Sequence, residues 1–358
     1  MKVLAIGETR DVRSGWGRYA HEVLSQLEKE NIDYDFIEKS DLQAYSLVNH
    51  IKNILHIRKR VGSVSLIHSF DVWPFAVYAL FANLGIDKPL FITGVGTYSL
   101  PPKNGLKGYL MKKTYARARE IFCISNYTRE VIKDRGAVGN FQVVHWGTTE
   151  LPSIMEAEKQ DFAKQFGVNL NNRPIILTVG QIKSRKGQLD TLKAIGILKN
   201  KYPNILYITV GSTADKAYVK EMREYSSAKG LEKNFLIVDT QKTDKELAFF
   251  YSICDIFTMN SNNEEDHFEG FGLVFLEAAQ FGKPLVGSRD CGIEDAISDG
   301  KTGFLTNQGD VNDIAKKIDM ALSNKEELGR AAQSRVKEFT WEKTVDRYLQ
   351  SYKSKISS

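Results

Sequence analysis

Cysteine is scarce in this chain of 358 residues, and its three cysteines, Cys123, Cys254 and Cys291, lie far apart. No C-x-x-C pair is present, which excludes a disulfide framework and the common zinc-binding patterns. Long apolar runs are also lacking: the longest, 72–86, contains Pro74 and falls short of a membrane span. The start of the chain, MKVLAIGETR, predicts a first buried strand rather than a signal peptide. These absences predict a cytoplasmic protein in a reducing environment.

Complete nucleotide-binding fingerprints are missing as well. Gly15-Trp16-Gly17 opens a predicted helix, but Ala20 stands where a dinucleotide fingerprint has its third glycine. The turn Gly94-Val95-Gly96-Thr97 is similarly incomplete, and no Walker motif occurs. These gaps argue against a nicotinamide enzyme and against a P-loop NTPase. Glycines at a helix start still allow an anion to approach the backbone N–H groups, although many such turns have no ligand.

Short apolar runs rich in β-branched and aromatic residues alternate with helical patterns along the whole chain. Nearly continuous apolar strands are typical of parallel sheets that are covered on both faces. The alternation stops once, in the polar stretch 147–160. We therefore predict an α/β protein with two tandem Rossmann-like, doubly wound domains, 1–155 and 156–339. Ligands of such sheets bind beyond the carboxyl ends of the strands, and the expected site is the cleft between the domains.

The net charge of +5 lies entirely in the first 150 residues, which hold 20 Lys and Arg against 15 Asp and Glu, while the remainder holds 29 of each. The excess is concentrated in 103–119. This segment is a solvated helix face, or it contacts an anionic membrane surface or a lipid-phosphate acceptor. Peripheral attachment to the inner face of the membrane is the localisation that the second interpretation predicts. Nucleic acid is disfavoured, because no aromatic residues interleave with the cations in a known binding motif.

Cations follow the first strand of the second domain. The strand PIILTVG leads into QIKSRKG, where Gly180 and Gly187 flank Lys183, Arg185 and Lys186. Three cations at the carboxyl end of a strand suit a diphosphate, and a solvated basic loop is the alternative.

Two glutamates bracket the glycine-rich segment EGFGLVFLE, 269–277. Gly270 and Gly272 stand at a predicted helix start, where free N–H groups could hold a phosphate or sugar hydroxyls. Glu269 lies just before the helix, and Glu277 lies in an apolar run, where a buried carboxylate needs a partner. A ribose diol would satisfy it, and a lysine or backbone group is the alternative. Acids and His267 in the preceding loop are expected to be solvated rather than to bind a metal.

Several motifs resemble retaining glycosyltransferases of the GT-B fold, family 4, over essentially the whole chain. They are FEGFGLVFLEAAQFGKPLVGS, GWGRYAHEVLSQL, ILTVGQIKSRKG, ISNYT, CGIEDAISDGKTGFL and WEKTVDRYLQSY. The resemblance implies that a C-terminal helix, 340–358, crosses back onto the first domain. It also implies a nucleotide diphosphate sugar as donor, without a metal or other cofactor. Gln181 stands where the family usually has Arg, and Val95 stands where many members have His.

The resemblance implies two catalytic residues, Glu269 at the donor sugar and Lys186 at the diphosphate, with Glu277 at the ribose. Further donor contacts are implied for Gly15, Gly17, Gly180, Gln181, Lys183, Arg185, Val238, Thr240, Gly270, Phe271, Gly272 and Leu273. The acceptor side is expected to include Trp16, Gly96, Thr97 and Tyr98.

The implied reaction moves a hexose-type sugar to a hydroxyl of a glycan or lipid-linked acceptor, with retention, in cell-envelope or lipid-linked glycan synthesis. The alternative is a non-catalytic relative or another GT-B enzyme such as a nucleotide-sugar epimerase.

Overall fold

Two parallel sheets of six strands organise the computed structural model, which describes residues 1–12, 14–44, 46–171, 173–239 and 243–356. Most of their strands are buried, because helices cover both faces of each sheet, and three edge strands are half-buried. The chain divides into unit 1, residues 1–147 and 339–358, and unit 2, residues 148–338. The predicted fold class of two doubly wound α/β domains is confirmed. The chain leaves unit 1 after Gly147, whereas the sequence predicted a boundary after residue 155.

Unit 1 has the strand order β2-β1-β3-β4-β5-β6, with every pair parallel. Its strands are β1 (Lys2–Gly7), β2 (Asp33–Glu38), β3 (Leu66–Ser69), β4 (Leu90–Gly94), β5 (Glu120–Cys123) and β6 (Phe141–Val143). The helices between them are α1 (Gly15–Lys29), α2 (Leu47–Val61), α3 (Val77–Ala82), α4 (Gly105–Arg117) and α5 (Asn126–Asp134).

The strand order decides which face of the unit 1 sheet each helix covers. Connections between parallel strands are right-handed, so a connection that runs in the opposite direction along the sheet places its helix on the opposite face. The β1-to-β2 connection runs one way, and every later connection runs the other way. Helices α2 to α5 therefore share one face, where α3 packs against both α2 and α4, and α1 lies on the other.

Unit 2 has the order β12-β11-β10-β7-β8-β9, again parallel throughout. The strands are β7 (Ile175–Val179), β8 (Leu206–Val210), β9 (Phe235–Val238), β10 (Ile256–Met259), β11 (Leu285–Ser288) and β12 (Gly303–Thr306). Its helices are α6 (Glu156–Phe166), α7 (Gln188–Leu198), α8 (Lys216–Ala228), α9 (Asp244–Ile253), α10 (Leu273–Gln280), α11 (Ile293–Ala296), α12 (Val311–Ser323) and α13 (Lys325–Arg335).

The last helix, α14 (Trp341–Ile356), belongs to unit 1 and packs against α1. A buried polar network fixes it there. The Tyr352 hydroxyl lies 2.5 Å from His68 Nδ1, and His68 Nε2 lies 2.8 Å from the Thr93 hydroxyl. The Tyr19 hydroxyl lies 2.8 Å from the Thr93 hydroxyl and 3.2 Å from the Tyr348 hydroxyl, so it links these two groups. Burial lowers the pKa of His68 to about 3, so the imidazole is neutral and holds one donor and one acceptor nitrogen.

No helix in the described ranges combines the length and apolar character needed to cross a membrane.

Replacing Tyr352 by Phe should weaken unit 1 selectively. The substitution leaves a buried nitrogen of His68 without its partner, which costs about 1–3 kcal/mol of unfolding free energy. All four tryptophans, 16, 73, 146 and 341, belong to unit 1, so tryptophan fluorescence during urea unfolding follows this unit. Tyr109→Phe, which removes an exposed hydroxyl, is the control and should change little. Equal midpoints for both variants would contradict a structural role of the network.

Candidate functional site

The loop after β7 is held against the loop after β10. Residues Ser184–Lys186 form a 3₁₀ turn that ends at Gly187, where the backbone φ is +66°. A Cβ at Gly187 would lie 1.8 Å from the Asn260 carbonyl oxygen, so only glycine allows this approach. The Asn262 N–H also donates to the Arg185 carbonyl at 2.8 Å. The basic loop and the glutamate-bearing loop are therefore adjacent within unit 2.

Glu269 lies between two of the predicted cations. Its Oε2 accepts from Lys186 Nζ and lies 3.4 Å from Arg185 Nη1. All three side chains are about 85% buried, with 14–15% of their surface exposed. Burial opposes ionisation of Glu269, but the charges of Lys186 and Arg185 outweigh it and lower the pKa of this carboxyl. The three side chains thus form an ionised triad that carries one excess positive charge.

The glycine segment after Glu269 forms a tight turn into α10. Gly272 caps the helix with a φ of +85°, and Leu273 is its first residue. The Glu269 carbonyl accepts from the Gly292 N–H at 2.8 Å, and a Cβ on Gly292 would meet the Gly270 carbonyl oxygen at 1.9 Å. Close backbone contact between this turn and the loop after β11 fixes where α10 starts. Phe271 is buried beside it.

Glu277 has a partner that the sequence did not indicate. The Tyr251 hydroxyl on α9 donates to Glu277 Oε2 at 2.7 Å, which is neither the lysine nor the backbone partner weighed above. A carboxylate accepts about four hydrogen bonds, so the Tyr251 contact is compatible with further bonds to a diol. Glu277 and Tyr251 are 26 residues apart in the chain, a separation that gives no local signal.

The other predicted donor residues lie at the carboxyl edge of the same sheet. Gly180 follows β7 with a φ of +145°, and the exposed Gln181 accepts through its carbonyl from Gln188 Nε2 at 3.1 Å. Burial, helped by the charges of Arg185 and Lys186, lowers the pKa of Lys183. Val238 is buried at the end of β9. Thr240 lies outside the described residues.

The polar loop before Glu269 is tied to the basic loop by a hydrogen bond. Ser184 Oγ donates to Glu264 at 2.7 Å, and Glu264 pairs with His267 through the backbone. Across the described part of the chain, no three His, Cys, Asp or Glu side chains come together as a set that could hold a metal ion.

Two buried hydroxyls at the carboxyl edge of the unit 2 sheet were not predicted from the sequence. Ser261 follows β10 and Ser288 ends β11, and neither hydroxyl has a hydrogen-bond partner among the described residues. A serine is common in loops, so its burial could not be predicted from the sequence.

Unit 1 contains a cavity of about 670 Å³ at the carboxyl edge of its own sheet. Trp16 and Tyr98 line it in an edge-to-face arrangement, with ring centroids 6.1 Å apart. Ser14 caps α1 and accepts from the Gly17 N–H, and a Cβ on Gly17 would lie 1.9 Å from the Asp11 carbonyl oxygen. Gly15 has open space around it. Gly17 therefore lets the first loop fold tightly at the cavity wall.

The predicted acceptor-side glycine turn also borders this region. Gly96 has a φ of +114° and precedes a 3₁₀ turn, Thr97–Ser99, which carries Tyr98 into the cavity lining. Val95 is anchored through its N–H, which donates to the Ser99 hydroxyl at 2.9 Å.

Asp71 is the cavity residue that the sequence analysis missed. It is 2% exposed, and its Oδ1 accepts from the Ser99 hydroxyl at 2.6 Å and from the Val72 N–H at 2.7 Å. Burial raises the pKa of this carboxyl to about 7, although both hydrogen bonds favour the charged form. Trp73 lines the same cavity, and Lys107 Nζ lies 5.0 Å from its ring centroid.

Comparison with known proteins identifies the family of the chain. Residues 159–352 match the family of glycosyl transferases group 1. The chain belongs to this family. Its fold is GT-B, shared with the Anabaena protein HepE in complex with UDP and glucose, at a TM-score of 0.80 and 18% identity over 99% of this chain and 100% of that one. Sucrose-phosphate synthase of Thermosynechococcus elongatus has a TM-score of 0.79 at 20% identity, with 100% of both chains covered.

Curated relatives cover different shares of the glycosyltransferase chain. A D-inositol 3-phosphate glycosyltransferase of Paenarthrobacter aurescens is 31% identical over 186 residues, 51% of this chain. That alignment spans only 44% of the relative's length. An uncharacterised glycosyltransferase of Methanocaldococcus jannaschii is 25% identical over 90% of this chain and 88% of its own. The family assignment therefore supports a glycosyltransferase. It does not identify the substrates.

The burial of Asp71 predicts how unit 1 stability depends on pH. The pKa of Asp71 is about 7 in the folded state and 3.8 in the unfolded state. Between pH 3.8 and pH 7 the folded state therefore keeps a proton that the unfolded state has lost. The free energy of unfolding should therefore fall as the pH rises through this window. Asp71→Asn cannot titrate at this position, so its free energy of unfolding does not fall in this way. The difference in unfolding free energy, variant minus unsubstituted protein, should therefore increase from pH 4 to pH 8 by up to about 4 kcal/mol.

The measurement is urea unfolding by tryptophan fluorescence at several pH values. His68 is common to both proteins, so its own titration cancels in the difference. Asp87→Asn, which removes an exposed carboxyl of the same unit, is the matched control. If this difference in unfolding free energy changed with pH in the same way for Asp71→Asn as for Asp87→Asn, the buried state of Asp71 would be contradicted.

Proposed function

We propose that this glycosyltransferase moves a hexose-type sugar from a nucleotide diphosphate sugar to an acceptor hydroxyl, with retention of the anomeric configuration. The observation that carries the proposal is the convergence of Arg185 and Lys186 on Glu269, at the carboxyl end of β7. Two largely buried cations with one countercharge suit a ligand that brings more negative charge than Glu269 supplies. A diphosphate is such a ligand, and Arg185 can bind it with two parallel N–H groups.

The chemistry is mainly the stabilisation of developing charge. As the bond to the sugar breaks, the leaving diphosphate gains negative charge and the sugar gains oxocarbenium character. Lys186 and Arg185 would stabilise the leaving group more strongly in the transition state than in the bound donor. Their charge and the backbone N–H groups at the start of α10 supply the positive field, so we propose that no metal is required.

Glu269 has two roles in this proposal. Without ligand it neutralises one cation and keeps the basic loop ordered. When the diphosphate takes over Lys186 and Arg185, the carboxylate is released to accept hydrogen bonds from the donor sugar. Glu277, held in place by Tyr251, binds the ribose hydroxyls. A same-face displacement, in which the leaving phosphate takes the acceptor's proton, accounts for retention without a protein nucleophile.

The acceptor is assigned to the unit 1 cavity. Trp16, Trp73 and Tyr98 offer ring faces of the kind that pack on the apolar faces of sugars, and Asp71 offers a buried polar group for a hydroxyl. A glycan or lipid-linked carbohydrate in cell-envelope synthesis fits this lining. The basic segment 103–119 supports contact of this domain with an anionic membrane surface at the inner face of the membrane.

Nucleotide binding is the first test. Thermal shift with UDP, GDP and ADP, each with EDTA and with magnesium, should show a metal-independent rise in melting temperature with one of them. UDP is tried first, because HepE was crystallised with UDP and glucose. No shift with any of the three would contradict a nucleotide diphosphate site.

Glu269→Gln separates binding from transfer. The substitution removes the countercharge that a diphosphate must displace, so nucleotide affinity should rise, on the order of tenfold or roughly 1.4 kcal/mol. Sugar transfer should fall by about 100-fold or more, because the neutral amide accepts weakly from the sugar. The matched control is Glu265→Gln, which makes the same charge change at an exposed position of the same loop.

Full transfer activity in Glu269→Gln would refute the site assignment. The anomeric configuration of the first-formed product, followed by NMR, tests retention separately, and an inverted product would overturn that part of the proposal.

A further inference from the structure

Helix α2 presents apolar side chains to solvent instead of burying them. Leu47 is 86% exposed, Val48 and Ile51 are each 61% exposed, and Leu55 is 53% exposed. At 100° per residue these four positions fall within one arc of about 100°. The opposite side of the helix buries Asn53, Ile57 and Val61 against the sheet. The exposed arc is therefore a second apolar face, confined to the first two to three turns of α2.

Helix α4 repeats this pattern at the same edge of the sheet. Leu106 is 72% exposed and Tyr109 is 57% exposed, and both lie in the first turns of α4. Helices α2 and α4 follow parallel strands on one face of the sheet, so both begin at its carboxyl edge. Helix α3 packs between them. The exposed apolar residues of α2 and α4 thus lie at one edge of unit 1, which we call the apolar rim: Leu47, Val48, Ile51, Leu55, Leu106 and Tyr109.

The stretch of chain that carries the apolar rim is predominantly positive, although Asp41 lies close enough to α2 to act on His56. Residues 47–119 contain eleven Lys and Arg but only two acids, Asp71 and Asp87, which gives a net charge of +9. Asp71 is buried, so Asp87 is the only exposed acid in this range. Lys52 and Lys59 extend the exposed arc of α2, and Lys107 and Lys113 are exposed on α4. The surface that carries the apolar side chains is therefore strongly basic.

We propose that the apolar rim docks unit 1 on an anionic lipid bilayer, with its side chains inserted at the level of the headgroups. Apolar residues flanked by lysines are what interfacial helices use, because burial of the apolar groups and attraction to anionic lipid add together. A second copy of this chain would bring the same positive charge to the contact, which opposes self-association through this face. The inference deepens the membrane contact proposed from 103–119 by adding α2 as the inserting element.

Helices α2 and α4, which carry the apolar rim, also contribute residues to the cavities of unit 1. A smaller cavity of about 220 Å³ is lined by Asn53 of α2 and shares Lys39 and Pro74 with the 670 Å³ cavity. Lys107, next to Leu106 in the rim, lines the larger cavity. Docking by the rim would bring this cavity to the membrane surface, where a lipid carries its carbohydrate. This consequence rests on the acceptor assignment made under the proposed function.

Vesicle co-sedimentation of the full chain tests the docking. Vesicles of phosphatidylcholine alone are compared with vesicles that contain 30% phosphatidylglycerol, at low salt. The protein should bind the anionic vesicles and bind the neutral ones much more weakly. The double substitution Ile51→Gln with Leu55→Gln keeps the charge and the helix propensity, and it should weaken anionic binding by about tenfold or more. Val138→Gln, at a 64% exposed position beyond α5 at the opposite edge of the sheet, should bind normally.

Two controls separate this proposal from the transferase assignment. Tryptophan fluorescence and the nucleotide thermal shift should be unchanged in the double variant, which shows that the fold and the donor site are intact. Wild-type binding by the double variant would overturn the rim while leaving a purely electrostatic contact through 103–119. Equal binding to neutral and anionic vesicles, or binding to neither, would overturn the proposed anionic partner without affecting the donor site.

Discussion

The parallel direction of every strand is the constraint on which the rest of the structure depends. In each unit all strands end at one edge, so each loop that follows a strand opens at that edge. Residues far apart in the chain are gathered there without any long excursion. Arg185 and Glu269 meet in unit 2 because β7 and β10 are neighbours, and Trp16, Asp71 and Tyr98 share a cavity in unit 1 because β1, β3 and β4 are neighbours. The same rule places the exposed starts of α2 and α4 together.

The ionised triad in unit 2 shows how a site for a charged ligand can be stable before the ligand arrives. Two cations on one short loop repel each other and lose hydration when they are largely buried. Glu269 offsets both costs, since its carboxylate contacts Lys186 and Arg185 at once. Gly187 makes this arrangement possible by letting the basic loop reach the Asn260 backbone. The geometry of the triad is thus close to what an anion with two or more charges requires.

The fold could be predicted from the sequence more fully than the site. Nearly continuous apolar runs predict buried parallel strands, and the two runs quoted above, MKVLAIGETR and PIILTVG, form β1 and β7. The glycines before α10 also pointed to a helix start. Partnerships across the sheet could not be predicted, because Tyr251 and Glu277 carry no local sign of their contact. Asp71 follows an ordinary strand, and only the folded chain shows that it is buried. Helix α2 has apolar residues on two faces, and periodicity alone does not tell which face is covered.

The return of α14 to unit 1 has a consequence for the order in which the protein folds during synthesis. Unit 1 is assembled from the first 147 residues and from a helix that leaves the ribosome only after all of unit 2 has been made. Until then the neutral imidazole of His68 lacks the Tyr352 hydroxyl, and the core around Tyr19 lacks Tyr348. Unit 2 is one uninterrupted stretch whose fold does not need α14, whereas unit 1 can be completed only after the last helix has been made.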